Sequence, residues 1–384
     1  MSITYCIDNK LGGVSSLNYN LAANALPGVK QTVLHINAEE WNLSAANIHF
    51  PVDKEIDFNF SVHENAYSRI RRFYKLIPDE AGALILNYEM EMYILDRYPI
   101  KQTSFQLVHD SWNVRLAEKY GHISDVFICH NTVIYQELIN LFPARKQDIF
   151  YLPHGVKIPV KYRSRVNENE PLRLLFLGRI SSAKGVFDLP VISSLLRERD
   201  VEFEWTCIGN GPELAKLKEE WNSRDKVQFL SPATNDEVLS ICADMDVFVL
   251  PTKFEGSPVS LLEAMSVGLV PVVTDLPGGI TDIVKNEIGY RIPINDNIGF
   301  ANAIATLNNN RALLNTLSIN CRKKIIEEFD VKQTAKAYHG LFMRYKEFYK
   351  PKEHKKMKIG STLDHPLIPS LVSKTIRKIA KRTK

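Results

Sequence analysis

Short apolar runs alternate with stretches of helical periodicity along nearly the whole chain. In the first half, ITYCID (3–8), KQTVLHIN (30–37), DFNFSV (57–62), ALILNY (83–88), SFQLVHD (104–110), DVFICH (125–130) and DIFYLPH (148–154) read as strands. RLLFLGRI, VEFEWTCI, 226–230, 246–250 and GLVPVVTD continue the series in the second half, followed by helical patterns at 297–308, 311–328 and 331–349. Strands this apolar, separated by helices, predict parallel sheets covered on both faces. In such sheets ligands gather at the carboxyl ends of the strands. KYRSRVNENEP (161–171) is charged, polar and unpatterned, as a linker would be. It divides the chain into an expected N-terminal domain over 1–160 and a C-terminal domain over 165–330.

The densest chemistry lies in FEGSPVSLLEAMSVGLVPVVTDLPGG (254–279). Ser257 suits an N-cap, Pro258 the first helical position and Gly268 the left-handed residue that ends the helix. The helix between them would be roughly 15 Å long at about 1.5 Å per residue. Ser257, Ser260 and Glu263 then share one face. Glu263 is the anomaly, because a carboxylate among apolar neighbours needs a partner. Free N–H groups at the helix start, with Gly256 allowing close backbone approach, would serve a phosphate or a sugar hydroxyl. Glu263 could accept from a diol.

Other candidates fall where strands end. The turn NKLGGVSS after the first strand contains Gly12 and Gly13, and His109–Asp110 closes SFQLVHD. GRISSAKG places Arg179 and Lys184 in a glycine-flanked loop, where a guanidinium fork and a point charge suit a diphosphate. IGNGPEL contains Gly209 and Gly211 but lacks the third glycine of a dinucleotide fingerprint. Asp244-Met245-Asp246 has the form of a metal-binding D-x-D, yet it runs straight into VFVLP and reads as the start of a buried strand.

The stretch E-x7-E with FEGSPVSLLEAM between its ends, followed by GLVPVVTDLPGG, resembles the donor site of glycosyltransferase family 4, as does G-R-x5-G with Lys184 before its second glycine. The likeness covers about 170–330 well and 1–160 loosely. It implies an α/β protein of GT-B fold, with two doubly wound Rossmann-like domains facing a central cleft and helix 331–350 crossing back to the first. It implies a retaining hexosyl- or glycosyltransferase that uses a nucleotide diphosphate sugar, a UDP-sugar favoured over a GDP-sugar, with no metal or other cofactor. Arg179 and Lys184 would neutralise the leaving diphosphate. Glu263 would hold the ribose diol, and Glu255 with the backbone of Gly256, Ser257 and Pro258 would orient the sugar. Gly12, Gly13 and Gly209 would line the donor, and His109 would face the transferred sugar. One departure is Pro153-His154-Gly155, where the family usually has Pro-Asn-Gly. A non-catalytic nucleotide-sugar-binding subunit and a GT-B sugar-nucleotide epimerase are the alternatives.

Composition narrows the setting. Hydrophobic content of 45% and charged content of 24% are those of a water-soluble globular protein. No apolar run reaches the roughly 20 residues of a membrane-spanning helix. MSITYCIDNKLGG lacks the features of a signal peptide, and the five scattered cysteines suggest thiols, so a cytoplasmic enzyme is expected. Residues 351–384 hold ten Lys/Arg and two Asp/Glu, so this tail carries +8 while the rest sums to −4. That body argues against nucleic-acid binding. The amphipathic, basic stretch 370–383 is expected either to lie in an anionic inner leaflet or to be a disordered arm. The basic stretch 67–77 reads first as an ordinary packed helix and second as a lipid-facing one. These features favour a glycan or lipid-linked glycan acceptor in cell-surface polysaccharide synthesis, including lipopolysaccharide.

Overall fold

The computed structural model of the chain describes all residues except 9–11, 41–48, 163–169, 222–224, 233 and 383–384. Most of the expected linker therefore lies outside the described residues. Two compact units form: Met1–His130 with Ile134–Pro153 and Lys332–Lys384, and His154–Val331 with Asn131–Val133. Both are α/β.

The first unit is built on β1 (Ser2–Asp8), β2 (Lys30–Ala38), β3 (Lys54–Phe60), β4 (Gly82–Leu86), β5 (Thr103–Val108), β6 (Val126–Cys129) and β7 (Ile149–Tyr151). They lie in the order β3-β2-β1-β4-β5-β6-β7, every pair parallel. Successive side chains point to opposite faces, so buried clusters form on both sides of the sheet. Ala83 and Ile85 pack with Ile3, Tyr5, Phe105 and the helix Val331–Met343, through Ala335, Tyr338 and Phe342. Leu84 and Leu86 pack on the other face with Leu34, Phe58 and the helix Ala66–Tyr74, through Ile70 and Phe73.

The second unit repeats the plan with β8 (Leu172–Leu177), β9 (Phe203–Ile208), β10 (Val227–Leu230), β11 (Val247–Leu250), β12 (Val270–Thr274) and β13 (Tyr290–Ile292). Its order is β10-β9-β8-β11-β12-β13, again all parallel. Leu174, Phe176, Phe248, Val272, Leu262 and Ile304 are among its fully buried core residues.

The tail beyond residue 350 is part of the first unit and no free arm. Ile359 is 2% exposed within the core beside Leu95 and Ile100. Lys352 forms a buried ion pair with Asp125. Asp96 accepts from the backbone amides of Lys356 and Met357 at 3.0 and 2.6 Å. The chain then ends in the helix Ser370–Arg382. Among the described residues no helix is long and apolar enough to cross a membrane.

Candidate functional site

The loops that leave β8, β9 and β11 meet at the carboxyl edge of the second unit's sheet, because these strands are neighbours. Gly178 donates to the Ile208 carbonyl at 3.0 Å, and Ile180 to the Asn210 carbonyl at 3.0 Å. This lacing needs Gly209: its φ is +143°, and a Cβ there would collide with the Gly178 carbonyl. The β8 loop ends in a turn over Ser182–Lys184, closed by Gly185 at φ +67°. A Cβ at Gly185 would strike the Pro251 carbonyl, so this glycine lets the β8 and β11 loops touch.

Across that contact Lys253 N–H donates to the Ala183 carbonyl at 2.9 Å, and Thr252 Oγ1 donates to the same carbonyl at 3.2 Å. The contact brings Lys184 Nζ into an ion pair with Glu255 Oε1, with side chains 28% and 8% exposed. Two expected site residues seventy-one positions apart are thus partners. Arg179 is exposed on the same loop and makes no hydrogen bond or ion pair with any of the described residues. A guanidinium and an ammonium sit on one strand-end loop, the second held by a carboxylate.

The loop Phe254–Pro258 enters the helix Val259–Ser266. The expected N-cap at Ser257 is corrected here. Pro258 occupies the cap, at φ −74° and ψ 97°, and no side chain caps the helix. The extended ψ of Pro258 keeps it outside the helix, so Ser257 sits one residue too early to reach the first-turn amides. Leu261 N–H turns back to the Pro258 carbonyl at 3.1 Å, and no side chain caps the amides of Val259 and Ser260 ahead of it. Gly256 is held from below, where Gly279 N–H donates to its carbonyl at 3.2 Å. That bond explains the Gly-Gly turn after β12. Gly268 has φ +91° just past the helix end.

Glu263 finds its partner in Asn235, whose Nδ2 donates to Oε1 at 2.6 Å. The carboxylate is half-buried, and desolvation by the surrounding protein pushes it up to about 7, against the pull of that bond. Nothing in the sequence pointed to Asn235, which starts the helix Asn235–Cys242 on a different strand connection. The Asp244-Met245-Asp246 stretch holds the domain together. Asp246 Oδ2 accepts from Arg173 N–H at 2.9 Å, and Asp244 pairs with Lys161 at 2.9 Å.

The first unit carries the remaining candidates. Gly12 is the N-cap of the helix Gly13–Ala23, and a Cβ there would meet nothing within 4 Å. His109 ends β5, where its Nε2–H donates to Asn87 Oδ1 at 3.0 Å. Asn87 Nδ2 in turn donates to the Cys6 carbonyl at 2.8 Å, which fixes the amide orientation and hence the histidine tautomer. Burial, and next the charge of His130, hold His109 well below the ordinary histidine range. It is a neutral hydrogen-bonding group at pH 7. Beside it, sequence reading missed Glu91, which is 1% exposed and accepts from the amides of Asn87 and Tyr88 at 3.3 Å. Burial raises its carboxyl to about 8, so it is protonated at neutral pH. Its spacing three residues after Tyr88 is the one signal that could have found it.

Residues 160–324 match the family model described as "Glycosyl transferases group 1". Over 130 residues the chain is 34% identical to the UDP-Gal:alpha-D-GlcNAc-diphosphoundecaprenol alpha-1,3-galactosyltransferase of Escherichia coli, covering 33% of this chain and 33% of that one. Over 200 residues it is 28% identical to the amylovoran biosynthesis glycosyltransferase AmsK of Erwinia amylovora, covering 49% and 48%. The chain therefore spans half or less of these relatives' length. The crystal structure of Anabaena Alr3699/HepE in complex with UDP and glucose is similar in fold, with TM-score 0.70 at 14% identity, over 89% of this chain and 99% of that one. The structural likeness shows the GT-B fold.

Proposed function

We propose that this chain is a retaining, family 4 type glycosyltransferase that moves a hexosyl group from a nucleotide diphosphate sugar to a hydroxyl of a glycan or lipid-linked glycan. The setting would be cell-surface polysaccharide synthesis at the cytoplasmic face of the membrane. One observation carries this reading: Arg179, Lys184, Glu255 and the uncapped start of helix Val259–Ser266 gather at one strand-end edge of the unit that carries the family match. Two cations on one loop match the charge that grows on a departing diphosphate. Helix-start amides would add donors to its oxygens or to a sugar hydroxyl. Glu263, ionised, would accept from the ribose diol. His109, neutral, enters as a hydrogen-bonder to a sugar hydroxyl. A UDP-sugar is the favoured donor, in keeping with the UDP-Gal in one relative's name and the UDP bound in one structural neighbour.

In the structure Lys184 is engaged by Glu255. Donor binding would exchange that pair, with Lys184 turning to phosphate and Glu255 to sugar hydroxyls. No metal is required in this scheme, because the two cations supply the counter-charge. The test is a panel of radiolabelled nucleotide sugars, with and without membrane extract, in the presence of EDTA. Transfer to an extract component with the donor's anomeric configuration kept is the expected result. Binding without transfer or hydrolysis would indicate a non-catalytic subunit, and acceptor-independent change of the sugar an epimerase. Activity lost to EDTA and restored by manganese would overturn the metal-free part.

A further inference from the structure

A surface helix ordinarily buries its apolar stripe and turns its charges to water. The helix Ser370–Arg382 does the reverse. Its polar side is what holds it to the first unit. Ser373, fully buried, donates from Oγ to the Leu363 carbonyl at 2.7 Å. Arg377 pairs with Asp364 and donates to the Glu64 carbonyl at 3.0 Å, while Lys374 reaches Glu39 at 3.2 Å. Leu371, Val372 and Ile376 lie on the other side, 75%, 44% and 44% exposed, with Ile379 at 59% and Leu367, just ahead of the helix, at 85%. At about 100° per residue, Leu371, Val372, Ile376 and Ile379 fall in one arc.

This inverted placement is fixed by a built-in anchor. Asn65 caps the helix Ala66–Tyr74 with its Oδ1 and spends its Nδ2 on the carbonyls of Leu363, His365 and Ile368, at 3.1 to 3.2 Å. Asp364 accepts from Ala66 N–H at 2.7 Å. The two segments singled out in the sequence as basic and amphipathic, some three hundred residues apart, are therefore neighbours. Within Ala66–Tyr74 and its C-cap, Arg69 lies over the Phe60 ring and Arg72, though exposed, is paired with Glu64, whereas Arg71 and Lys75 are exposed. Lys378 and Lys381 are exposed on the tail helix.

We infer that this face docks on the surface of an anionic lipid bilayer, with the apolar stripe entering the headgroup region and Lys378, at the edge of the stripe, meeting lipid phosphates. Charge selects this occupant. Self-association through the stripe would bring the exposed Arg71, Lys75 and Lys378 toward their own copies, whereas an anionic bilayer complements them. The inference goes beyond sugar transfer and stands on different residues.

The test is co-sedimentation of the full chain with vesicles of phosphatidylglycerol and phosphatidylcholine in equal parts, against phosphatidylcholine alone. Binding only to the anionic vesicles, falling with salt, is expected. Leu371→Ser with Ile376→Ser should weaken it by at least about tenfold with little change in the thermal midpoint, since both residues are exposed on the helix surface. Lys378→Glu with Lys381→Glu should weaken it and remove much of the salt dependence. Equal sedimentation of the Leu371→Ser/Ile376→Ser variant overturns the inference. So does a solution dimer that this variant dissolves, because the stripe is then a self-contact. UDP affinity, measured on the same samples, should not change in any variant. Its absence from the wild type would count against the donor site and leave the lipid result standing.

Discussion

The two units use one strand order, with the first strand of each at the centre and the chain winding outward on both sides, yet their carboxyl edges are spent differently. In the first unit the strand ends satisfy one another. Asn87 bridges Cys6 and His109, Tyr88 bonds Asp8, and a protonated Glu91 accepts from the turn that starts the next helix. In the second unit the same edge keeps an exposed Arg179, a helix start without a side-chain cap and a Lys184 whose ammonium, among the described residues, is held by the side chain of Glu255. A shared scaffold does not assign a shared task. The task follows from which strand-end groups the fold leaves unspent.

The comparison is sharpened by substitutions that should move activity in one unit and stability in the other. Arg179→Ala with Lys184→Ala should lower kcat by about two to three orders of magnitude or more while the thermal midpoint holds. A rise in KM alone would restrict both cations to ground-state binding. Lys352→Met, in the first unit, should do the opposite. It leaves Asp125, 1% exposed, without its cation, and should cost about 3 kcal/mol in urea unfolding with the kcat of the folded fraction unchanged. Equal stability of that variant would mean that the Ser104 and Lys350 amides suffice for Asp125.

Glu263→Ala should weaken nucleotide binding by about 2 kcal/mol, because the diol loses its acceptor. The pH dependence has a definite sign. A diol needs the ionised carboxylate, and burial places that ionisation at about 7, so affinity should rise with pH through this point and be flat in the variant. Matching pH profiles would remove Glu263 from the nucleotide site. The smallest effect is expected at Glu255→Gln, which releases Lys184 and removes a negative charge beside the diphosphate. UDP should bind tighter by about 1 kcal/mol even as transfer slows. Weaker UDP binding would mean that Glu255 orients Lys184 toward the phosphate and does not compete with it.

Strand positions were legible because the runs are short, apolar and separated by helical periodicity, and β1 to β12 each lie within a few residues of an apolar run. The loops carrying Arg179, Lys184 and Glu255 were legible because glycines flank them, for reasons now visible in Gly185 and Gly209, where a side chain would collide with backbone. Pairing across strands was not. The Lys184–Glu255 and Glu263–Asn235 contacts depend on strand order, which periodicity does not encode. The start of helix Val259–Ser266 was misplaced because Ser-Pro normally marks a capped entry, whereas here Pro258 itself stays extended. The tail was read by composition as an amphipathic helix or a loose arm. Composition could not reveal that Asp96, Asp125 and Asn65 wait in the first unit to hold it.

The central claim is that the open edge of the second unit receives a nucleotide diphosphate. Calorimetric titration of UDP into the wild-type protein and into the Arg179→Ala/Lys184→Ala variant, both in EDTA, tests it most directly. The account predicts saturable binding to the wild type that weakens by at least about tenfold in the variant, with both proteins melting at the same temperature. UDP binding of equal affinity to the two proteins, or no binding to a folded wild type, would contradict it.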